Sequence, residues 1–101
     1  MAKSTIIYWR DIPSQVVVKQ GRNSAKVQLS ERFMEAIDKA AMRAGRQGSK
    51  DYLEDWRRVI ETCQGDIKTL ANNMAEELEQ MYPDDILQAI VKNKGLKIDQ
   101  T

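Results

Sequence analysis

The chain has 101 residues, of which 42% are hydrophobic and 31% are charged, and its formal net charge is +1. This composition is typical of one soluble globular domain over residues 1–101 and excludes a disordered chain. The absence of His and the presence of one Cys exclude an intrachain disulfide and a zinc-type ligand spacing.

Hydropathy and charge also limit location and partners. No apolar run approaches the roughly 20 residues of a membrane helix, and no secretory signal is recognisable, so we expect a cytoplasmic protein without a membrane partner. Residues 1–58 carry 12 basic and 7 acidic side chains, whereas residues 59–101 carry 4 and 8. This bipolar pattern is compatible with docking of a charged partner, but we favour an unevenly charged, solvated surface because the basic excess is modest.

Two β-type runs near the start predict a hairpin. Residues 4–9 and 15–19 are rich in β-branched and aromatic residues, and the turn formers Asp11, Pro13 and Ser14 lie between them. Residues 19–26 predict a loop with three cations and no acid. Val27 and Leu29 then alternate with polar residues, so they form either a short third strand or the approach to a helix.

The remainder of the chain is mainly helical in pattern. The first helix is predicted from an N-cap at Ser30 to about Ala44, with Gly45 as its C-cap. A short helix capped by Ser49 follows. Residues 57–62 then form either its continuation or a strand, and we favour the strand because a two-stranded sheet is marginal.

Two further helices are predicted after residue 63. Asp66 is the predicted cap of a long amphipathic helix that ends before Pro83. Asp84 is the predicted cap of a final short helix that ends at Gly95. We expect Ile37 and Leu70, in the middle of two helical stripes, to be buried. The predicted fold is therefore α+β, with a small antiparallel sheet, formed by the N-terminal hairpin and one or two short strands, covered by three to four helices.

The hairpin is also the predicted protein-binding surface. Successive strand residues point to opposite faces, so helices on one side would leave part of the apolar run 6–9 available to a partner. Aromatic residues and Arg are enriched at binding hot spots. The predicted contact residues are Tyr8, Trp9, Arg10, Asp11 and Pro13. The alternative is that the aromatic residues belong to the core.

A basic set predicts an alternative site for nucleic acid or another anion. Its cations could contact phosphates while aromatic residues of the sheet stack on bases. The set consists of Lys19, Arg22, Lys26, Arg32, Arg57 and Arg58. Glu31 and Glu35 dilute it, and no RNA-binding aromatic signature accompanies it.

No catalytic constellation is evident in the sequence. Cys63 is interpreted as an ordinary reduced thiol, although Arg57, Arg58 and a helix N-terminus are close to it in sequence. Paired carboxylates lie at helix caps and solvated faces, and no phosphate-binding glycine loop is present. We therefore expect no cofactor, no bound metal and no enzymatic activity.

Three segments together resemble a known family. They read YWRDIPSQV, LSERFMEAIDKAAMRAG and DYLEDWRR. They are similar to the small virulence factor domain of bacteria, which also resembles a segment of conserved virulence factor C proteins. The resemblance implies no catalytic residues, but it implies a module that works beside other protein parts. The expected function is a non-catalytic adaptor for a partner protein in a cytoplasmic complex, with a small nucleic-acid-binding regulator as the alternative.

Overall fold

The computed structural model describes residues 2–46 and 50–97. The elements within these residues are β1 Ala2–Trp9, β2 Ile12–Gln20, β3 Asn23–Gln28, α1 Glu31–Arg43, α2 Lys50–Glu54, β4 Trp56–Cys63, α3 Ile67–Met81 and α4 Asp84–Lys92. The four strands form one antiparallel sheet in the order β3-β2-β1-β4. The α+β prediction is confirmed, and so is the strand predicted over residues 57–62.

The position of β1 explains its unbroken apolar run. It is a central strand that pairs with β2 on one edge and β4 on the other, so its side chains have neighbours on both sides. The turn between β1 and β2 contains only Arg10 and Asp11, and is shorter than the predicted turn over residues 10–14. Pro13 lies inside β2, beside a register shift between Ile7 and Tyr8. An irregularity of this kind accommodates proline, which has no N–H to donate to the ladder.

The loop prediction for residues 19–26 was wrong in its extent. The turn occupies only two residues, Gly21 and Arg22, and β3 begins at Asn23. Gly21 adopts a φ of 60°, the left-handed conformation that glycine tolerates best. The segment 23–26 is polar and has low intrinsic strand preference, and it becomes a strand because β2 pairs with its whole length.

Helices cover one face of this sheet. Val16 and Val18 are fully buried on that face, whereas Val17 between them is only half-buried. Helix α3 packs on β2 and β3, α1 packs on β2, and α4 packs on α1. Ile37 is fully buried as predicted, but Leu70 is only partly buried at the margin of the core.

The helix caps follow the predictions in part. The Asp66 carboxylate accepts a hydrogen bond from the backbone N–H of Thr69 at 3.0 Å, as expected for a cap. Ser30 precedes α1 but makes no capping bond to it, and Asp84 is the first residue of α4 after an N-cap at Pro83. Helix α1 is closed by Ala44, and Gly45 follows it with a φ of 70°. The predicted cap Ser49 lies outside the described residues.

The segment 93–97 closes the hairpin end of the molecule. The backbone N–H of Asp11 donates to the carbonyl oxygen of Gly95 at 2.9 Å. The glycine lies flat against the indole of Trp9, and a Cβ added at this position would be 2.7 Å from the indole Cζ3. The backbone φ of Gly95 is 88°. Both the conformation and the close approach therefore require glycine here.

Replacement of Gly95 tests this packing. We expect Gly95→Ala to lower the free energy of unfolding by about 2–5 kcal/mol, because left-handed strain adds to overpacking. Gly21→Ala is the matched control, since its φ is also positive but no atom lies within 4 Å of the added Cβ. It should cost about 1–2 kcal/mol. Urea denaturation measures both, and equal losses would contradict the proposed close packing on Trp9.

Candidate functional site

Two of the predicted protein-binding residues belong to the core. Trp9 and Pro13 are fully buried, so neither can offer a surface to a partner. The indole N–H of Trp9 donates to the carbonyl oxygen of Tyr52 at 3.0 Å, and the two rings stack with centroids 5.7 Å apart. Helix α2 and the segment 93–97 enclose this indole. The core alternative is therefore correct for Trp9.

The polar side chains of the hairpin turn form hydrogen bonds and ion pairs within the molecule. The Nε of Arg10 lies 3.2 Å from a carboxylate oxygen of Asp55, and its Nη1 donates to the carbonyl oxygen of Lys94 at 2.8 Å. Asp11 accepts from the Nη2 of Arg57 at 3.1 Å and from the backbone N–H of Lys97 at 2.7 Å. These contacts join the turn to β4 and to the segment 93–97, and they leave Arg10 and Asp11 little capacity for a partner.

Tyr8 retains accessible surface. It is half-buried, and the Arg57 guanidinium lies over its ring at 4.5 Å from the centroid. Burial raises the pKa of the Tyr8 hydroxyl, Arg57 opposes this shift, and Glu61 and Asp11 add to it. The phenol therefore stays neutral at physiological pH, and the pair presents an aromatic ring beside a cation.

The structure divides the predicted anion-binding residues into two groups. Arg32 is neutralised within the molecule, because its guanidinium lies 3.0 Å from Glu79 and 3.3 Å from Asp84 and also donates to the carbonyl oxygen of Tyr82. Arg57 binds Asp11 as described. These two arginines do not join the other members of the basic set.

Three of the remaining members, Lys19, Lys26 and Arg58, lie on the face of the sheet opposite to the one on which α1 and α3 pack. Cross-strand partners share a face, and Val17 is opposite both Lys26 on β3 and Thr5 on β1. Lys19 is opposite Lys3 in the next row, and Arg58 is opposite Ile7. We call this surface the open face. Its residues are Lys3, Thr5, Ile7, Gln15, Val17, Lys19, Ser24, Lys26, Gln28, Trp56, Arg58, Ile60 and Thr62.

Each strand contributes one cation to the open face. Lys26, Lys19, Lys3 and Arg58 come from β3, β2, β1 and β4 in their order across the sheet, and all four are exposed. None of these outward positions is occupied by Asp or Glu, and none of the four cations forms an ion pair within residues 2–46 and 50–97. Arg22 adds a fifth charge at the β2–β3 turn.

Three of these cations surround one depression. Lys3, Lys19 and Arg58 line it together with Thr5, Gly21 and Ile60. Lys3 is not among the predicted basic residues, because the first predicted strand begins only at residue 4. The signal that identifies it is its directly opposite partner Lys19, which only the β1–β2 register reveals.

The described residues offer no metal-binding group. They contain no cluster of three or more His, Cys, Asp or Glu side chains that could hold an ion. Cys63 is a half-buried free thiol at the end of β4. None of the helices in the described ranges is both long and apolar enough to cross a membrane.

Comparison with known families supports the resemblance seen in the sequence. The family described as Virulence factor matches residues 7–91, which is most of the chain. The chain belongs to this Virulence factor family. Comparisons with curated proteins and with solved structures returned no match. The family match includes β4 and extends into the last helix, and it covers all residues of the open face except Lys3 and Thr5.

Glu79 connects α3 to the start of α1. Burial raises the pKa of its carboxyl group, but hydrogen bonds from the backbone N–H and hydroxyl of Ser30 and from Arg32 outweigh burial, so the pKa is lowered overall. The two bonds from Ser30 are both 2.8 Å long. A lowered pKa in the folded state means that this contact stabilises the fold above the unfolded pKa and is lost as the pH falls through the folded value.

Replacement of Glu79 tests the pH dependence that follows from its lowered pKa. Glu79→Gln should lower the free energy of unfolding by about 1 kcal/mol at neutral pH, since the contact is charged but partly exposed. The gap between variant and parent should close as the pH falls below about 4.3. Glu76→Gln, at an exposed position on the same helix, is the control and should give no such gap. A gap that persists unchanged at low pH would contradict the assignment.

Proposed function

We propose that this Virulence factor domain is a non-catalytic binding module whose open face binds the phosphate backbone of single-stranded nucleic acid. The observation that carries the proposal is the set of four exposed cations, one from each strand, on a face without a carboxylate. Neutralisation of phosphates by Lys and Arg releases condensed counterions, and this release supplies most of the affinity in non-specific binding. A face of one sign also raises the association rate.

The pairing of Lys3 with Lys19 favours an anionic ligand. The two residues are directly opposite each other on neighbouring strands. Like charges in this arrangement destabilise a sheet, so the pair costs free energy in the unbound protein. A phosphate bound between the two ammonium groups would convert this repulsion into attraction. Arg58 lines the same depression and would contribute a third donor.

The neutral side chains of the open face offer few contacts that could distinguish one base from another. Trp56 is the aromatic side chain of this face that keeps accessible surface; it is half-buried against Tyr52 with ring centroids 6.1 Å apart, whereas its cross-strand partner Trp9 is fully buried. Base stacking is therefore restricted to one end of the face, whereas phosphate contacts extend across it. Binding of this kind tolerates many sequences, because phosphate contacts carry no base information.

Salt titration tests the nucleic-acid proposal. A fluorescent single-stranded oligonucleotide should bind at low salt, and the logarithm of affinity should fall with the logarithm of salt with a slope of about −3 for four contacts. Lys19→Ala with Lys26→Ala should reduce this slope by about 1.4. Lys68→Ala with Lys92→Ala removes the same charge from the helical side and should leave the slope unchanged. Absence of binding at micromolar protein and low salt would refute the proposal.

A second candidate function is that of an adaptor which binds a partner protein. The observation that favours it is the accessible Tyr8 ring beneath the Arg57 guanidinium, since aromatic and Arg side chains are enriched at hot spots. This site and the open face involve different residues. The two functions can therefore be separated with variants of one chain.

Tyr8→Ala tests the adaptor function, and Tyr8→Phe is its control. Tyr8→Phe keeps the ring under Arg57 and removes only the hydroxyl, so the melting temperature should change little. Tyr8→Ala removes the ring as well. If the adaptor function is correct, Tyr8→Ala should weaken capture of a protein partner from cell extract by about tenfold, as expected for a hot-spot residue. The same variant should leave oligonucleotide binding unchanged. Equal capture by the parent, Tyr8→Phe and Tyr8→Ala would contradict the adaptor.

A further inference from the structure

Strand β4 has one unpaired edge. It is the last strand in the sheet order, and its eight residues pair with β1 on one side only. Among the described elements, β1 and α2 make the main contacts with it. An exposed edge of this length presents a row of backbone groups to which another strand can add. The other edge strand, β3, is shorter and has α3 packed on it.

The hydrogen-bond pattern shows which residues face this edge. The backbone N–H of Arg10 donates to the carbonyl oxygen of Asp55 at 3.0 Å, which extends the β1–β4 ladder by one hydrogen-bonded pair. Such pairs alternate along an antiparallel ladder, so residues 57, 59, 61 and 63 bond to β1. The residues whose N–H and C=O groups point to the free edge are Trp56, Arg58, Ile60 and Thr62.

We propose that a second copy of this chain adds its own β4 to this edge, antiparallel and with Val59 opposite Val59 of the second copy. In this register Arg57 is opposite Glu61 of the second copy, and the pair occurs twice by symmetry. Opposite charges in directly opposed positions stabilise a strand pair. If the two-fold axis passed instead through residue 57, 58 or 61, an Arg or Glu side chain would be opposite the same residue of the second copy. If it passed through Ile60, no two opposite charges would be paired.

The unbound molecule leaves the required groups available. Glu61 is exposed, and its carboxylate makes no ion pair within residues 2–46 and 50–97. Arg57 uses Nε and Nη2 for the hairpin turn, which leaves Nη1 for a second carboxylate. Ile60 is 61% exposed, an unusual state for a strand isoleucine. In the proposed register the aliphatic part of Arg58 of the second copy covers it.

The symmetry of this pairing has a consequence for the open face. The two-fold axis runs perpendicular to the sheet through the Val59 pair, so both open faces lie on the same side. The result is one continuous eight-stranded sheet with the cations of both copies on one surface. The proposal stands independently of nucleic-acid binding, because it depends on the edge and the charge register of β4 alone.

A cysteine scan tests the register. Val59→Cys in a Cys63→Ser background should form an intermolecular disulfide on mild oxidation. Its Cα would be about 4.5 Å from that of the second copy in a non-hydrogen-bonded pair, which is within disulfide range. Ile60→Cys in the same background is the matched control and should cross-link far less. Stronger cross-linking at residue 60, or no more at residue 59 than for a surface Asn72→Cys, would overturn the proposal.

Sedimentation of the uncross-linked protein gives a second, independent outcome. The parent should show a reversible monomer–dimer equilibrium, and Glu61→Arg should weaken it about tenfold, because both opposed pairs then carry like charges. Glu61→Gln should have a smaller effect. A parent that remains monomeric at millimolar concentration would overturn the proposal, and so would an association that Glu61→Arg leaves unchanged.

Discussion

The pairing of β1 on both of its edges is the interaction on which the rest of the structure depends. Its contact with β2 forms the hairpin, and its contact with β4 brings residues about fifty positions later into the same sheet. The chain then has enough strands to support helices on one face. Because a strand alternates its side chains, the same pairing that buries Val16 and Val18 places Val17 and Lys19 on the opposite side. Core and open face therefore have a common origin.

Much of the fold could be predicted from local patterns. Helical periodicity located α1, α3 and α4, and the need for a further strand located β4. The short third strand was left open at Val27 and Leu29, and its polar first half, residues 23–26, was assigned to a loop because pairing with β2, and not its own composition, makes that segment a strand. The burial of Trp9 was left open because it depends on Tyr52 and Gly95, which are far away in sequence.

The candidate site was predictable only in part for the same reason. The sequence identified Lys19, Lys26 and Arg58 as basic residues of interest, but not that they share a face with Lys3. It could not exclude Arg32, because the partner that neutralises this arginine, Glu79, is 47 residues away. Long-range ion pairs and strand register decide which cations remain available, and neither is encoded in local spacing.

The arrangement gives β4 two roles. Its side chain at Arg58 belongs to the open face, while its backbone forms the unpaired edge of the sheet. Helix α2 and the segment 93–97 close the hairpin end, where Trp9 is buried, and leave the rest of the face to solvent. The match to the Virulence factor family over residues 7–91 includes the whole of β4.

We propose that the open face of the sheet is the binding surface. A nuclear magnetic resonance titration of isotope-labelled protein with a short single-stranded oligonucleotide tests it most directly. We expect the amide signals of Lys3, Lys19, Lys26 and Arg58 to shift together, while those of Glu76 and Glu77 on α3 stay in place. Shifts confined to the helical side, or no shifts at millimolar protein, would contradict the claim.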